Sequence, residues 1–149
     1  MSPLTHRIFR LGQALGATAD RLLRDRCDLG FTDYLLLLGV QTKRGASQAE
    51  LAQRAGVGDA GASRIVSRLA ARGLLTATPD PANRRRSVVS LTPDGRRLLT
   101  RASAYLDARF SRRVQTAASR ADMAVFERVL DAMASALAPE AAETIKTKP

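Results

Sequence analysis

Residues 47–75 read SQAELAQRAGVGDAGASRIVSRLAARGLL, and residues 76–95 continue TATPDPANRRRSVVSLTPDG. Ser47 stands three residues before Glu50, the pattern of a capping box in which each side chain satisfies an orphan backbone donor at a helix start. Leu51, Ala52 and Ala55 fall on one side of that helix, and Gly56 offers the positive φ on which helices commonly end. A second helix follows the turn, with Asp59 as its predicted N-cap. Its Ile65, Val66 and Leu69 point inward, its Ser63, Arg64, Ser67, Arg68 and Arg72 outward, and Gly73 is its predicted stop. Residues 74–78 and 87–91 have the β-branched content of strands, and Pro79, Asp80, Pro81 and Asn83 make the segment between them a turn. Two short helices and an arginine-tipped hairpin compose a winged helix-turn-helix, a unit that holds one helix in a DNA groove.

On either side the pattern is helical. Leu4, Ile8, Leu11, Leu15, Ala19 and Leu22 recur at three- and four-residue steps and predict a long first helix over 4–26. Thr32 is the predicted cap of a second helix that is apolar nearly all round and therefore central to the core. Thr92-Pro93 marks the start of a fifth helix, an N-cap followed by proline at the first helical position. Its stripe is Leu98, Ala102, Tyr105, Leu106, Phe110 and Val114. Ser119 with Asp122 starts a sixth, with stripe Phe126, Val129, Leu130, Met133 and Leu137. These end stripes are longer than a small core in one chain covers, so they are expected to pack together and against a second subunit. The fold expected is mainly α with a small β-wing. It places a DNA-binding lobe over 32–92 and a helical dimerisation region over 4–26 with 93–138, within one domain of 149 residues.

Charge narrows the partner. Lys and Arg number 24 against 14 Asp and Glu, a formal +10. Between residues 54 and 101 ten arginines face three aspartates, so seven of the ten net charges lie in one third of the chain. Such a surface attracts polyanions. The longest apolar run, residues 35–40, is far below the roughly 20 residues of a membrane span. The N-terminal residues have no apolar stretch of signal-peptide length, and the single cysteine, Cys27, forms no internal disulfide; both fit a reducing cytoplasm.

Chemistry is assigned to the basic face. Arg64, Arg68 and Arg72 are four residues apart on one side of the fourth helix. An arginine fork can bond guanine O6 and N7 together, and Ser63 or Ser67 can reach bases or phosphates. Arg64, nearest the helix start, is the first choice for base readout, and Arg72 for phosphate. Gln48 is a candidate phosphate contact. Arg84, Arg85 and Arg86 repel one another at a turn unless an anion is near, and a narrow minor groove supplies one. Arg85, or Arg84 with Arg86, can enter it; adjacent strand residues point to opposite faces, so all three cannot. A lone His6, Cys27 remote from it and no glycine-rich phosphate loop leave little from which to build an enzyme or a metal site, and no cofactor is expected. Asp20, Asp25 and Asp28 read as helix-surface charges.

The six-element order, the helix pair LAQRAGVGDAGASRIVSRLAARGLL and the wing NRRRSVVSLTPDG resemble the MarR family of bacterial transcriptional regulators, whose wing reads Asp-x-Arg-x-x-x-Val-x-Leu-Thr-x-x-Gly. The resemblance spans nearly the whole chain. On that register Arg85 takes the wing arginine's place, and Val89, Leu91, Thr92 and Gly95 match. Asn83 stands where the family usually has aspartate, and Ala77 and Thr78 depart from an arginine often found before the turn. The resemblance implies a homodimer built from the first, fifth and sixth helices, bound to double-stranded DNA at a pseudo-palindromic operator. In many relatives a small phenolic or aromatic ligand releases the DNA. The function expected is a sequence-specific regulator, a repressor. The alternatives are a non-specific architectural nucleic-acid binder and a winged-helix protein-interaction module.

Overall fold

The computed structural model describes residues 3–42, 46–79, 87–116 and 118–137. Among these, six helices and two strands follow in the order α1 (Leu4–Cys27), α2 (Phe31–Thr42), α3 (Gln48–Ala55), α4 (Asp59–Ala71), β1 (Leu75–Pro79), β2 (Ser87–Leu91), α5 (Pro93–Gln115) and α6 (Arg120–Leu137). The wing turn, including Asp80, Pro81, Asn83, Arg84, Arg85 and Arg86, lies outside the described residues. The chain divides into two compact units, Met1–Ala108 and Arg109–Pro149.

In the first unit, α2 is central, as its apolar composition predicts: Leu36, Leu37 and Val40 are buried, and the helix packs against α1, α3, α4 and β2. Leu51 of α3, Leu69 of α4, Val89 of β2 and Leu99 of α5 are fully buried around it. Leu99 is absent from the predicted stripe because α5 turns a broader apolar side, with Leu98, Ala102 and Leu106, toward this core. The Tyr34 hydroxyl lies 3.1 Å from Ser103 Oγ, tying α2 to α5.

Helix ends follow local chemistry where both partners are near in sequence. Ser47 N–H donates to Glu50 Oε2 at 2.8 Å and Glu50 N–H donates to Ser47 Oγ at 3.3 Å, so the capping box is complete. Ser47→Ala is expected to lower stability by about 1 kcal/mol, read as a lower urea midpoint with unchanged slope. At the other end of α3, Gly56 takes φ 66° and Val57 N–H donates to the Ala52 carbonyl. Gly73 repeats that stop after α4, at φ 70°. Ser119 and Asp122 cap α6 reciprocally.

Two predicted caps are corrected. Thr32 lies inside α2; the donor at its start, Phe31 N–H, is accepted at 2.9 Å by Asp20 of α1. Asp59 is the first helical residue of α4, after Gly58, and makes no side-chain cap. There it favours the helix by placing negative charge at the positive end of the dipole.

The wing is an antiparallel pair with Leu75 opposite Leu91 and Pro79 opposite Ser87. β1 begins one residue later than predicted. A two-stranded hairpin is marginal alone; here Ser47 forms a bridge with Val88, and Leu75, Val89 and Leu91 are buried. Thr92 anchors the wing's end: its N–H donates to the Leu74 carbonyl at 3.1 Å, its hydroxyl donates to the Gly73 carbonyl at 2.7 Å, and its Oγ1 accepts from Gly95 N–H at 3.0 Å.

The second unit contains the end of α5 and α6. On α6, Val125, Phe126, Val129, Leu130 and Leu137 are exposed.

Candidate nucleic-acid interface

The α3–turn–α4 segment presents its outer face because its inner face is committed. Ala62, Ile65, Val66 and Leu69 are buried, leaving Ser63, Arg64, Ser67 and Arg68 exposed at the intervening positions, as the helical period dictates. Gly61 is half-buried, and a Cβ there would sit 3.5 Å from Val57 Cβ, an ordinary contact, so packing alone does not require glycine. Gln48 is half-buried at the start of α3.

Arg64 and Arg68 of α4 line a cleft of about 760 Å³ with Arg72, which is the C-cap just past the helix and not on it as expected, and with Asp20, Asp28 and Asp33 from the corner between α1 and α2. Their environments differ. Arg68 pairs with the Asp33 carboxylate. Arg72 donates from Nη2 to the Asp28 carbonyl at 2.8 Å and reaches its Oδ2 at 3.3 Å. Among the described residues Arg64 has neither an ion pair nor a hydrogen bond. Sequence spacing brings these arginines to one face but carries no sign of their partners.

Asp20 and Asp28 are surface charges, as expected, and each also makes bonds within the fold. The side-chain hydrogen bond from Arg24, at 2.6 Å, and then the N–H of Phe31 hold the Asp20 carboxyl below its ordinary 3.8. Because the folded value is depressed, this stabilisation is present above the unfolded value and lost as pH falls through the folded one. Asp20→Asn is therefore expected to lower the urea midpoint at neutral pH, with the gap closing in titrations below pH 3.8. A gap that persists at low pH would assign the loss to hydrogen-bond geometry rather than charge. Asp28 takes φ 48°, the left-handed conformation that Asp tolerates better than most residues, and so ends α1.

Cys27, half-buried, borders a separate cleft with Arg72, Arg96, Arg97 and Arg101. None of the described helices is long and apolar enough to cross a membrane.

The similarities to known proteins fall on this winged helix-turn-helix and on the fold as a whole. The model of the MarR family matches residues 28–86, from the α1–α2 corner through the wing turn. Over these residues the chain is similar to the MarR family. The HTH-type transcriptional repressor NicR of Pseudomonas putida is 39% identical over 75 residues, and that match covers 49% of this chain and 48% of NicR, about half of each. Wild-type MarR from E. coli in its apo form superposes with a TM-score of 0.81 at 18% identity, covering 89% of this chain and 97% of that one. The repressor CouR, solved bound to a 23-mer DNA duplex, gives a TM-score of 0.77 at 23% identity, covering 89% and 92%. At these identities the two structures speak to fold, and the MarR-type winged helix is the fold seen here.

Proposed function

We propose that this chain is a member of the MarR family and a sequence-specific DNA-binding repressor acting as a homodimer in the cytoplasm. The observation that carries the reading is the outer face of α4, where Arg64 is exposed and unpaired among the described residues between Ser63 and Ser67, on the most basic third of the chain. Arg64 reads a base edge, the serines bond bases or phosphates, Gln48 holds the backbone, and Arg85, or Arg84 with Arg86, enters the minor groove. The name of NicR and the DNA bound to CouR support this assignment.

The dimer is supported by the apolar residues that α1 and α6 each leave in solvent. Leu4, Ile8, Leu11 and Leu15 on α1, and Phe126, Val129 and Leu130 on α6, are all more than two-fifths exposed. An apolar face on a helix, as each of these is, is ordinarily covered by a partner. Two recognition helices in such a dimer would meet half-sites roughly 34 Å apart.

Fluorescence anisotropy tests the reading: the DNA upstream of the protein's own gene is titrated against a shuffled duplex of equal length at several salt concentrations. Tighter, saturable binding to the native sequence, one dimer per site, is expected. Equal affinity for both duplexes would favour the architectural reading, which the same basic surface supports, and no binding at low salt would exclude both. The assay also screens small aromatic and phenolic acids as effectors: a ligand that binds better to a form misfitting DNA lowers the apparent affinity.

A further inference from the structure

Arg68 on the outer face of α4 and Arg72 at its C-cap are already held from within. Asp33 lies in the first turn of α2 and is only 7% exposed, and its carboxylate accepts from Arg68 Nη2. A carboxylate at that depth needs a partner, since an uncompensated buried charge is strongly destabilising. Arg68 is that partner, with its own side chain about half exposed, at 53%. One turn further on, Arg72 bonds both the main chain and the side chain of Asp28. Both guanidinium groups therefore bridge α4 to the α1–α2 corner.

The apolar contacts of Ile65, Val66 and Leu69 hold α4 close to the core, but hydrophobic contact is non-directional. A charged hydrogen bond is directional, and Arg68 makes one, from Nη2 to Asp33 Oδ1. The Arg68–Asp33 bond thus adds what the core does not, a rotational stop about the axis of α4. Moving Arg68 to a DNA phosphate would strand the Asp33 carboxylate, so the bond is expected to persist when α4 meets DNA.

We infer that Arg68 is a positioning residue: through Asp33 it sets the rotation at which α4 presents Arg64, Ser63 and Ser67, and it does not itself neutralise a phosphate. This rests on the DNA-binding reading above and replaces, for Arg68, the direct contact that its exposure implies in the sequence.

The test compares wild type with Asp33→Asn, Arg68→Gln, the double variant and Arg64→Ala. Binding is measured by anisotropy against a single 30-base-pair duplex selected from a random library by the wild-type protein. If Arg68 positions, Arg68→Gln leaves the slope of log affinity against log salt unchanged. A lost phosphate contact would instead reduce that slope by about 0.9. Asp33→Asn and Arg68→Gln should each weaken binding about tenfold, with the double variant no weaker than either single one, the non-additivity of a coupled pair. The inference is overturned if Arg68→Gln flattens the slope by about one contact, or if Asp33→Asn tightens binding by releasing Arg68. Should Asp33→Asn fail to fold, the slope for Arg68→Gln decides alone. Failure of the wild-type protein to select or bind any duplex would instead remove the DNA-binding reading itself.

Discussion

Gly95→Ala is expected to lower the unfolding free energy by about 3 kcal/mol, although alanine is the better helix former by about 1 kcal/mol at an ordinary helical position. Gly95 lies in the first turn of α5, where a Cβ would fall 2.0 Å from the Leu74 carbonyl oxygen and 3.0 Å from its carbon. That contact is with backbone, so no side chain can swing aside. Nor is the carbonyl free to move, because it accepts from Thr92 N–H, and Thr92 in turn bonds the Gly73 carbonyl that closes α4. Shifting α5 outward would withdraw Leu98, Leu99 and Ala102 from the core. Steric cost therefore exceeds the propensity gain. Urea unfolding followed by circular dichroism checks the prediction, and an equal or higher midpoint for the alanine variant would show that α5 accommodates the methyl group. Because the strained point joins the end of α4 to the start of α5, DNA affinity should fall with stability.

Arg64→Ala is expected to cost about 1 to 3 kcal/mol of binding to the selected DNA site, roughly a 5- to 150-fold loss, while relaxing preference at one base pair. The side chain is exposed and unpaired among the described residues, and alanine favours the helix, so folding should be unaffected. This separates Arg64 from Arg68 and Arg72, whose removal also breaks bonds to Asp33 and Asp28. Selection from a randomised duplex library, with wild type and variant compared position by position, measures the effect. Unchanged preference at every position would remove Arg64 from base readout, whatever happened to affinity.

Much of the architecture was legible in the chain because its signals are local. Ser47 and Glu50, Ser119 and Asp122, and Thr92 with Gly95 each lie within one helical turn, so their bonds depend on little beyond the helix itself. The apolar periodicity that separates Ile65, Val66 and Leu69 from Ser63, Arg64 and Ser67 is likewise a property of 3.6 residues per turn. Where the competing partner comes from another element, local reading failed. Thr32 has the side chain of a cap, yet Asp20, eleven residues before Phe31, takes the donor. That carboxylate arrives only because the left-handed turn at Asp28 folds α2 back beside α1.

The candidate site divides the same way. Sequence alone determined that a basic, arginine-bearing helix follows a capped helix and a glycine stop, and that an apolar inner side forces its arginines outward. It also determined the match of Gly95 to the wing signature, without the reason for it. Only the tertiary structure decided that Leu74 passes too close to Gly95 for any side chain. It alone decided, too, that Asp33, 35 residues from Arg68, and Asp28, 44 from Arg72, hold two of the three arginines while Arg64 is left unpaired among the described residues. The physical reason is range. Caps and periodicities act within a turn or two, whereas an ion pair between helices depends on where the intervening chain has brought its partners.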